Sequence, residues 1–266
     1  MLILVLGVSP MLAPLIGSYL LDWFGWTSIF WAQGFVGALC AIAVHFRLAE
    51  SMPMEARRPL SLEQIRSGYR TLLSDRTFVG AALVCGFSSA GMFSYIASAP
   101  FVLIDLYKLP PHWFGWLFGA IATGIITASQ INGRMPHRIP VRSVLRRANL
   151  AQCLAGGLVL AAVVADKGGI PGLFIPVFMY MFAAGFVFPN GSTLAMIRHG
   201  KIAGSASALL GTIQYAIAAV AVIGLGEIHS KTALPMAVGI AFCGVAATAV
   251  NFLTLRGQDD PHTAHP

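Results

Sequence analysis

Long stretches without a charged residue dominate this 266-residue chain. Each of them has at least 18 residues and consists mainly of apolar side chains. A helix of about 20 apolar residues spans the hydrocarbon core of a bilayer. The pattern therefore predicts eight membrane-spanning helices, over residues 1–21, 23–44, 77–104, 113–133, 148–165, 168–197, 202–226 and 232–255.

A polar insert at residues 47–76 interrupts this pattern and contains the stretch SLEQIRSGYRTLLSD. Ser61 and Gln64 have the spacing of a capping box, which predicts a helix that begins there. Arg66 and Arg70 fall on one face of that helix, and the apolar side chains fall near the other. The apolar side chains are Leu62, Ile65, Tyr69, Leu72 and Leu73. The helix either lies in the membrane interface, with its arginines toward lipid headgroups, or is a solvated linker.

The insert also sets the predicted domain organisation. We expect two transmembrane helices in residues 1–46, a cytoplasmic loop in 47–76, six transmembrane helices in 77–256 and a cytoplasmic tail in 257–266. Only 10% of the residues are charged, whereas soluble domains have about 25%. The composition therefore excludes an ordinary soluble domain and predicts an all-α polytopic membrane protein.

The net charge of +7 is distributed unevenly between the two membrane faces. We assume that the chain crosses the membrane at every predicted span. Fourteen of the 17 basic residues then lie on one face, and the opposite face has only Lys108, Lys167 and Lys231. Cytoplasmic loops carry such an excess of lysine and arginine. Both termini are therefore predicted to be cytoplasmic. The basic loops are expected to contact the lipid bilayer, whose cytoplasmic leaflet is anionic, and not nucleic acid.

The first predicted span contains Pro10, Pro14, Gly17 and Ser18. Proline breaks a helix in water, but in a membrane bundle neighbouring helices can satisfy the backbone groups that it frees. Small residues let another helix approach closely. The stretch is therefore predicted to be a kinked helix that packs tightly against a neighbour.

These residues carry a resemblance to a known family. The stretch APLIGS, Ala13 to Ser18, resembles the antiporter motif of drug-exporting major facilitator transporters, above all their Bcr/CflA drug-resistance branch. The segments WTSIFW, GFSSAGMFSYIASAPFV, FGWLFG and GSASALLGTIQY are similar to later helices of that branch and come in the same order. Ser18 and Thr27 depart from the pattern, where the branch has a glycine and a basic residue.

The resemblance implies that the chain corresponds to helices five to twelve of a twelve-helix fold. These are the last two helices of the amino-terminal half and the complete six-helix carboxyl-terminal half, so the chain is expected to be truncated and to need four further helices. It implies a multidrug efflux antiporter of the bacterial inner membrane, which exports small amphipathic compounds in exchange for protons. The proton gradient is then the energy source, and no cofactor is expected. The alternative is a transport-incompetent remnant or an assembly subunit.

The resemblance also implies candidate site residues. Helices seven and ten of the family line the substrate path, and here these are the runs 77–104 and 168–197. Within each run the candidates for the substrate cavity are spaced by about one or two helical turns and so share one face; they are Ser88, Met92 and Tyr95 in the first run and Phe182, Phe186 and Asn190 in the second. Besides the residues of the antiporter motif, Gly204 and Gly211 are candidates for helix packing. The loop NGRMPHRIPVRSVLRR occupies the place of a gating loop, with Arg134, Arg138 and Arg142 as its basic residues and His137 where an acid could stand.

The sequence contains no motif of catalytic or metal-binding residues that would indicate an enzyme or a metal site. The sequence has no zinc-binding HExxH motif and no GxSxG nucleophile motif. Carboxylates within a membrane span usually bind ions or protons, but each of the ten acidic residues lies at a span end or in a loop. We therefore expect the proton-coupling acid to lie outside this chain.

Overall fold

The structure, a computed structural model, describes residues 16–17, 19–21, 23–47, 62–135, 139–166, 168–228 and 230–255. The chain divides into two compact units, residues 1–64 and 65–266. In the first unit, short helical stretches precede α1, which runs over Thr27–Arg47. This helix of 21 residues covers most of the predicted run 23–44. The first predicted run, 1–21, lies mostly outside the described residues.

Helix α2, Leu62–Ser74, matches the helix predicted in the polar insert. Ser61 lies outside the described residues. From Ile65 onward α2 belongs to the second unit, where Leu72 is fully buried while Ile65 and Leu73 are exposed. The predicted apolar face is thus divided, since Leu73 points about 100° away from Leu72 around the helix.

Six long helices follow and form the rest of the second unit. They are α3 (Arg76–Pro100, continued by a π-helical turn over Phe101–Leu106), α4 (Pro111–Gly133), α5 (Val141–Ala165), α6 (Gly169–Met196), α7 (Ala203–Gly226) and α8 (Leu234–Thr254). With α1, these make seven helices in the described part of the chain that are long and apolar enough to cross a membrane.

The observed helices follow the predicted runs closely, except at the start of α5. The run was predicted to begin at residue 148, but α5 begins at Val141 and includes Arg142, Arg146 and Arg147 in its first turns. The prediction was too short because it counted only charge-free residues. A helix that leaves the hydrocarbon core continues into the headgroup region, where arginine is favourable.

Local sequence explains where several of these helices begin and end. The Asp75 carboxylate accepts a hydrogen bond from the Thr77 amide at 2.8 Å and caps the amino terminus of α3. Pro110 and Pro140, both in extended conformation, precede α4 and α5. Asp166 and Gly168 adopt left-handed conformations between α5 and α6. Pro176 and Pro189 lie inside α6, as membrane bundles permit.

Helix α3 is the centre of the bundle and packs against α6, α7 and α8. Helix α5 packs against α6 and α8, and α4 packs against α6. One hydrophobic cluster surrounds Tyr180, and a second surrounds Phe78 and Leu72 nearer the start of α3. The core therefore extends along the bundle, and the leucines of α5 on its outer face, such as Leu154, remain exposed.

Candidate functional site

One end of the bundle carries most of its positive charge. His199, just after α6, lies with its Nε2 2.8 Å from Asp75 Oδ2 at the start of α3. Arg142, at the start of α5, donates a hydrogen bond of 3.3 Å to the carbonyl of Leu255, just after α8. These contacts bring together the starts of α3 and α5 and the ends of α6 and α8. We call this the basic end, because Arg76, Arg142, Arg147 and Arg198 lie there.

The basic end accounts for two of the three predicted gating-loop residues. Arg134 is exposed in the turn that follows α4. Arg142 is half-buried and links α5 to the end of α8. Arg138 and His137 lie outside the described residues.

Asp75 is the acidic partner within this positive region. Burial raises the pKa of its carboxyl, but the Thr77 amide, His199 and Arg198 together lower it by more. The net effect is a pKa below the ordinary value of 3.8. The sequence showed Asp75 only as a residue near a span start, and its partner lies 124 positions away.

Asp75→Asn is expected to preserve the cap on α3 and to remove the charge opposite His199 and Arg198. Asp75→Ala removes both and should cost about 1 kcal/mol more, since asparagine caps as well as aspartate and alanine does not. The charge contributes stability above the ordinary pKa, and this contribution is lost as the pH falls through the lowered pKa of the folded chain. The thermal unfolding midpoint of the purified chain, followed from about pH 7 to about pH 3, measures both effects.

Equal midpoints for the two variants at neutral pH would show that the cap contributes nothing. A difference between wild type and Asp75→Asn that does not narrow as the pH falls below about 4 would contradict the role given to the charge.

The predicted cavity residues of α3 point largely into the bundle. Ser88 is fully buried, and its Oγ lies 2.7 Å from Nε2 and 3.0 Å from Oε1 of Gln152 on α5. Tyr95 is 2% exposed, and its ring stacks on Phe118 of α4 with 6.5 Å between the ring centroids. Met92 is partly buried against the same core.

The Tyr95 hydroxyl is buried and has no hydrogen-bond partner among the described residues. The Tyr180 hydroxyl is also buried and likewise has no hydrogen-bond partner among the described residues. Buried polar groups usually have a partner, so both hydroxyls are candidates for contact with water or a polar solute.

The predicted residues of α6 lie in two different environments. Phe174, Phe178, Phe182 and Phe186 form a stripe in which successive ring centroids are 5.7–6.2 Å apart. Phe182 and Phe186 line a groove that α6 forms with α5. Asn190 is buried, and its Nδ2 donates to Asn132 Oδ1 of α4 at 2.6 Å and to the Phe186 carbonyl.

The structure therefore does not bring the six candidates together around one cavity of the second unit. Ser88 contacts α5, Tyr95 and Asn190 contact α4, and Phe182 and Phe186 border the groove. Sequence reasoning missed Gln152 and Asn132, the partners of two of them. Their polar side chains within apolar runs were the available signal. Substrate contact by the six remains a prediction.

The predicted packing residues are placed unevenly. Pro10, Pro14 and Ser18 lie outside the described residues, and Gly17 lies in a helical stretch. A Cβ atom added at Gly204 or Gly211 would meet open space. The tight helix contacts occur instead at other glycines. A Cβ at Gly156 would lie 3.1 Å from Ala241 Cα, and one at Gly244 would lie 3.0 Å from Cys153 Cα. Glycine thus allows the backbones of α5 and α8 to approach each other.

The described part of the chain has seven apolar helices of membrane-spanning length, six of them packed in one unit with its positive charge at one end, as in a polytopic α-helical membrane protein. Residues 1–222 match the model of the Major Facilitator Superfamily. The chain belongs to this superfamily, as its antiporter-like motif and helix segments indicated.

Several curated proteins are similar to this chain. An MFS-type transporter of Bacillus subtilis (strain 168), YdgK, is 37% identical over 238 residues, which cover 89% of this chain and 59% of that protein. The bicyclomycin resistance protein homolog of Haemophilus influenzae is 30% identical over 254 residues, or 95% of this chain and 64% of that protein. The multidrug transporter MdfA of Edwardsiella piscicida is 28% identical over 215 residues, which cover 77% of this chain and 50% of that protein.

Two of these relatives are named for bicyclomycin resistance and multidrug transport, which supports the predicted resemblance to drug-exporting members of the superfamily. The chain spans between half and two thirds of the length of the relatives it matches.

Proposed function

We propose that this chain forms helices five to twelve of a proton-coupled exporter of small amphipathic compounds in a bacterial inner membrane. The observation that carries the proposal is the family match over residues 1–222, together with relatives that are named for bicyclomycin resistance and multidrug transport. Transporters of this kind consist of two halves that rock around a substrate site near the membrane midplane. In this proposal the bundle of α3 to α8 is one of these halves.

The buried polar groups of α3 and α6 support a substrate path beside these helices. Two tyrosine hydroxyls in the bundle lack partners among the described residues, and Met92, Phe114 and Phe118 supply adaptable apolar surface beside Tyr95. Methionine and aromatic side chains suit binding surfaces that accept varied ligands. The Ser88–Gln152 and Asn190–Asn132 hydrogen bonds hold α3 and α6 against α5 and α4.

Proton coupling in this proposal requires a carboxylate that the membrane-spanning runs of this chain do not contain. The acidic residues Asp75, Asp105, Asp166 and Glu227 all lie at helix ends. The proposal assigns the coupling acid to a segment that corresponds to the remaining length of the relatives. The chain would then contribute a scaffold and one wall of the substrate path.

A chimeric transporter tests this proposal. The segment of the H. influenzae relative that lies outside its match to this chain is joined to this chain, and efflux of a fluorescent amphipathic cation is measured in inverted membrane vesicles. We expect uptake that requires the joined segment and stops when a protonophore collapses the gradient. The chain without the added segment should give no uphill transport. The experiment thereby also addresses the alternative of an inactive remnant.

A chimera that inserts and remains monodisperse but transports no better than empty vesicles would overturn the proposal in favour of the remnant. Transport that survives the protonophore would contradict the proton coupling.

A further inference from the structure

An apolar groove of about 530 Å³ runs along the surface of the bundle between α5 and α6. Phe178, Phe182 and Phe186 of α6 line one wall, and Ala148 and Ala151 of α5 line the other. Its outer rim is open, because Leu154 is 70% exposed and Met179 is 48% exposed. Both helices are of membrane-spanning length, so the open rim of the groove lies where lipid chains are available.

Among the described residues that line the groove, the charged one is Arg147. It lies at one end of the groove, near Met135 at the end of α4. The two neighbouring arginines of α5 contact α8 instead, since Arg142 donates to the Leu255 carbonyl and Arg146 lies 4.6 Å above the ring of Phe252. The sequence contains no acidic residue between Asp105 and Asp166. The charged end of the groove therefore favours a negative group.

The apolar part of the groove extends through about two thirds of one leaflet of the bilayer. On α5 the lining beyond Arg147 continues to Leu154, which at about 1.5 Å per residue is about 10 Å. The hydrocarbon core is about 30 Å thick, so one leaflet contributes about half of that. A negative group at Arg147 and an apolar chain of this length are the two parts of an anionic phospholipid.

We propose that this groove is a binding site for an anionic phospholipid of the leaflet at the basic end. Its phosphate contacts Arg147, and one acyl chain lies along the phenylalanine stripe between α5 and α6. Basic pockets between membrane helices bind anionic headgroups in this way. An amphipathic cation fits the same apolar walls, but Arg147 repels its charge. The assignment does not depend on transport, so it can hold or fail independently of the proposed function.

The test counts lipids that stay bound to the purified 266-residue chain in native mass spectrometry, with dioleoylphosphatidylglycerol and dioleoylphosphatidylcholine as probes. We expect one phosphatidylglycerol per chain to bind more tightly than any phosphatidylcholine. Arg147→Gln should weaken phosphatidylglycerol binding about fivefold, which corresponds to the usual contribution of one basic residue near a membrane surface. Arg146→Gln is the matched control, since Arg146 contacts Phe252 outside the groove, and should leave binding unchanged.

A second pair of variants tests the apolar part. Ala151→Trp fills the groove and should abolish the tight site, whereas Ala219→Trp on an exposed position of α7 should not. This pair decides the question if Arg147→Gln does not yield folded chain. Glycerol phosphate, which has the charge without the chains, should not compete.

Equal binding of the two phospholipids would overturn the proposal, as would equal effects of Arg147→Gln and Arg146→Gln. Displacement of phosphatidylglycerol by tetraphenylphosphonium at similar concentration would show that the groove accepts amphipathic cations instead. Competition by glycerol phosphate would show that the headgroup alone accounts for binding, and it would contradict the role of the groove.

Discussion

Gly156→Leu is expected to destabilise the bundle by about 3 kcal/mol, whereas Gly157→Leu should have little effect. A Cβ at position 156 would lie 3.1 Å from both Ala241 Cα and the Ile240 carbonyl oxygen, and the rest of a leucine side chain has no room there. These neighbours are backbone atoms of α8, so relief requires that α5 and α8 move apart. Overpacking of this kind typically costs about 1–3 kcal/mol.

Gly157 is the matched control, because it lies next to Gly156 in the same helix and a Cβ there would meet open space. Both changes improve intrinsic helix propensity equally. A thiol-reactive dye that reports exposure of the buried Cys85 and Cys243 during heating measures the unfolding midpoint of each variant. Equal midpoints would contradict the close contact of α5 with α8.

The contrast between these glycines shows what the sequence could and could not predict. Apolar runs and charge positions predicted the helices of the second unit and the gathering of arginines at one end. Gly204 and Gly211 are packing candidates because their segment resembles a helix of the family, and a Cβ atom added at either one would have no neighbour within 4 Å among the described residues. Which glycine meets a neighbour depends on how two helices cross, and no local pattern records that geometry. The reciprocal contacts of Gly156 and Gly244 therefore required the structure.

Gln152→Ala is expected to cost about 2–3 kcal/mol. The side chain is fully buried, and its loss leaves a cavity and removes the partner of Ser88, whose hydroxyl is also fully buried. Both effects destabilise a folded chain. Gln214→Ala breaks a similar bond, to the equally buried Ser89, but it removes a half-buried side chain and leaves less of a cavity, so it should cost about 1 kcal/mol less than Gln152→Ala.

The double variant Ser88→Ala/Gln152→Leu removes both polar partners and preserves most of the volume. It should recover most of the stability lost in Gln152→Ala, since replacing both partners of a buried hydrogen bond is far less costly than removing one. Thermal unfolding of the wild type, Ser88→Ala, Gln152→Leu and the double variant gives the coupling between the two positions, and Gln152→Ala is measured beside them. A double variant that is less stable than Gln152→Ala would contradict this account.

Ser88 also illustrates why the candidate site was harder to predict than the fold. Its spacing from Met92 and Tyr95 placed the three near one helical face, as helix geometry requires. Which residues contact that face depends on long-range packing. The partner of Ser88 is Gln152, which lies 64 positions further along the chain. Phe182 and Phe186 were likewise found by their spacing, but the groove that they border belongs to α5 as much as to α6.

The account depends on a bundle that spans the membrane with its basic end on the cytoplasmic side. The most direct test is labelling of single cysteines by a membrane-impermeant maleimide, in a chain whose four native cysteines are replaced. Arg134→Cys and Lys231→Cys are suitable because both residues are exposed, the first at the basic end and the second between α7 and α8 at the opposite end. We predict that Lys231→Cys reacts in intact spheroplasts and that Arg134→Cys reacts only after the membrane is permeabilised. Labelling of Arg134→Cys in intact spheroplasts, or protection of Lys231→Cys, would contradict the account.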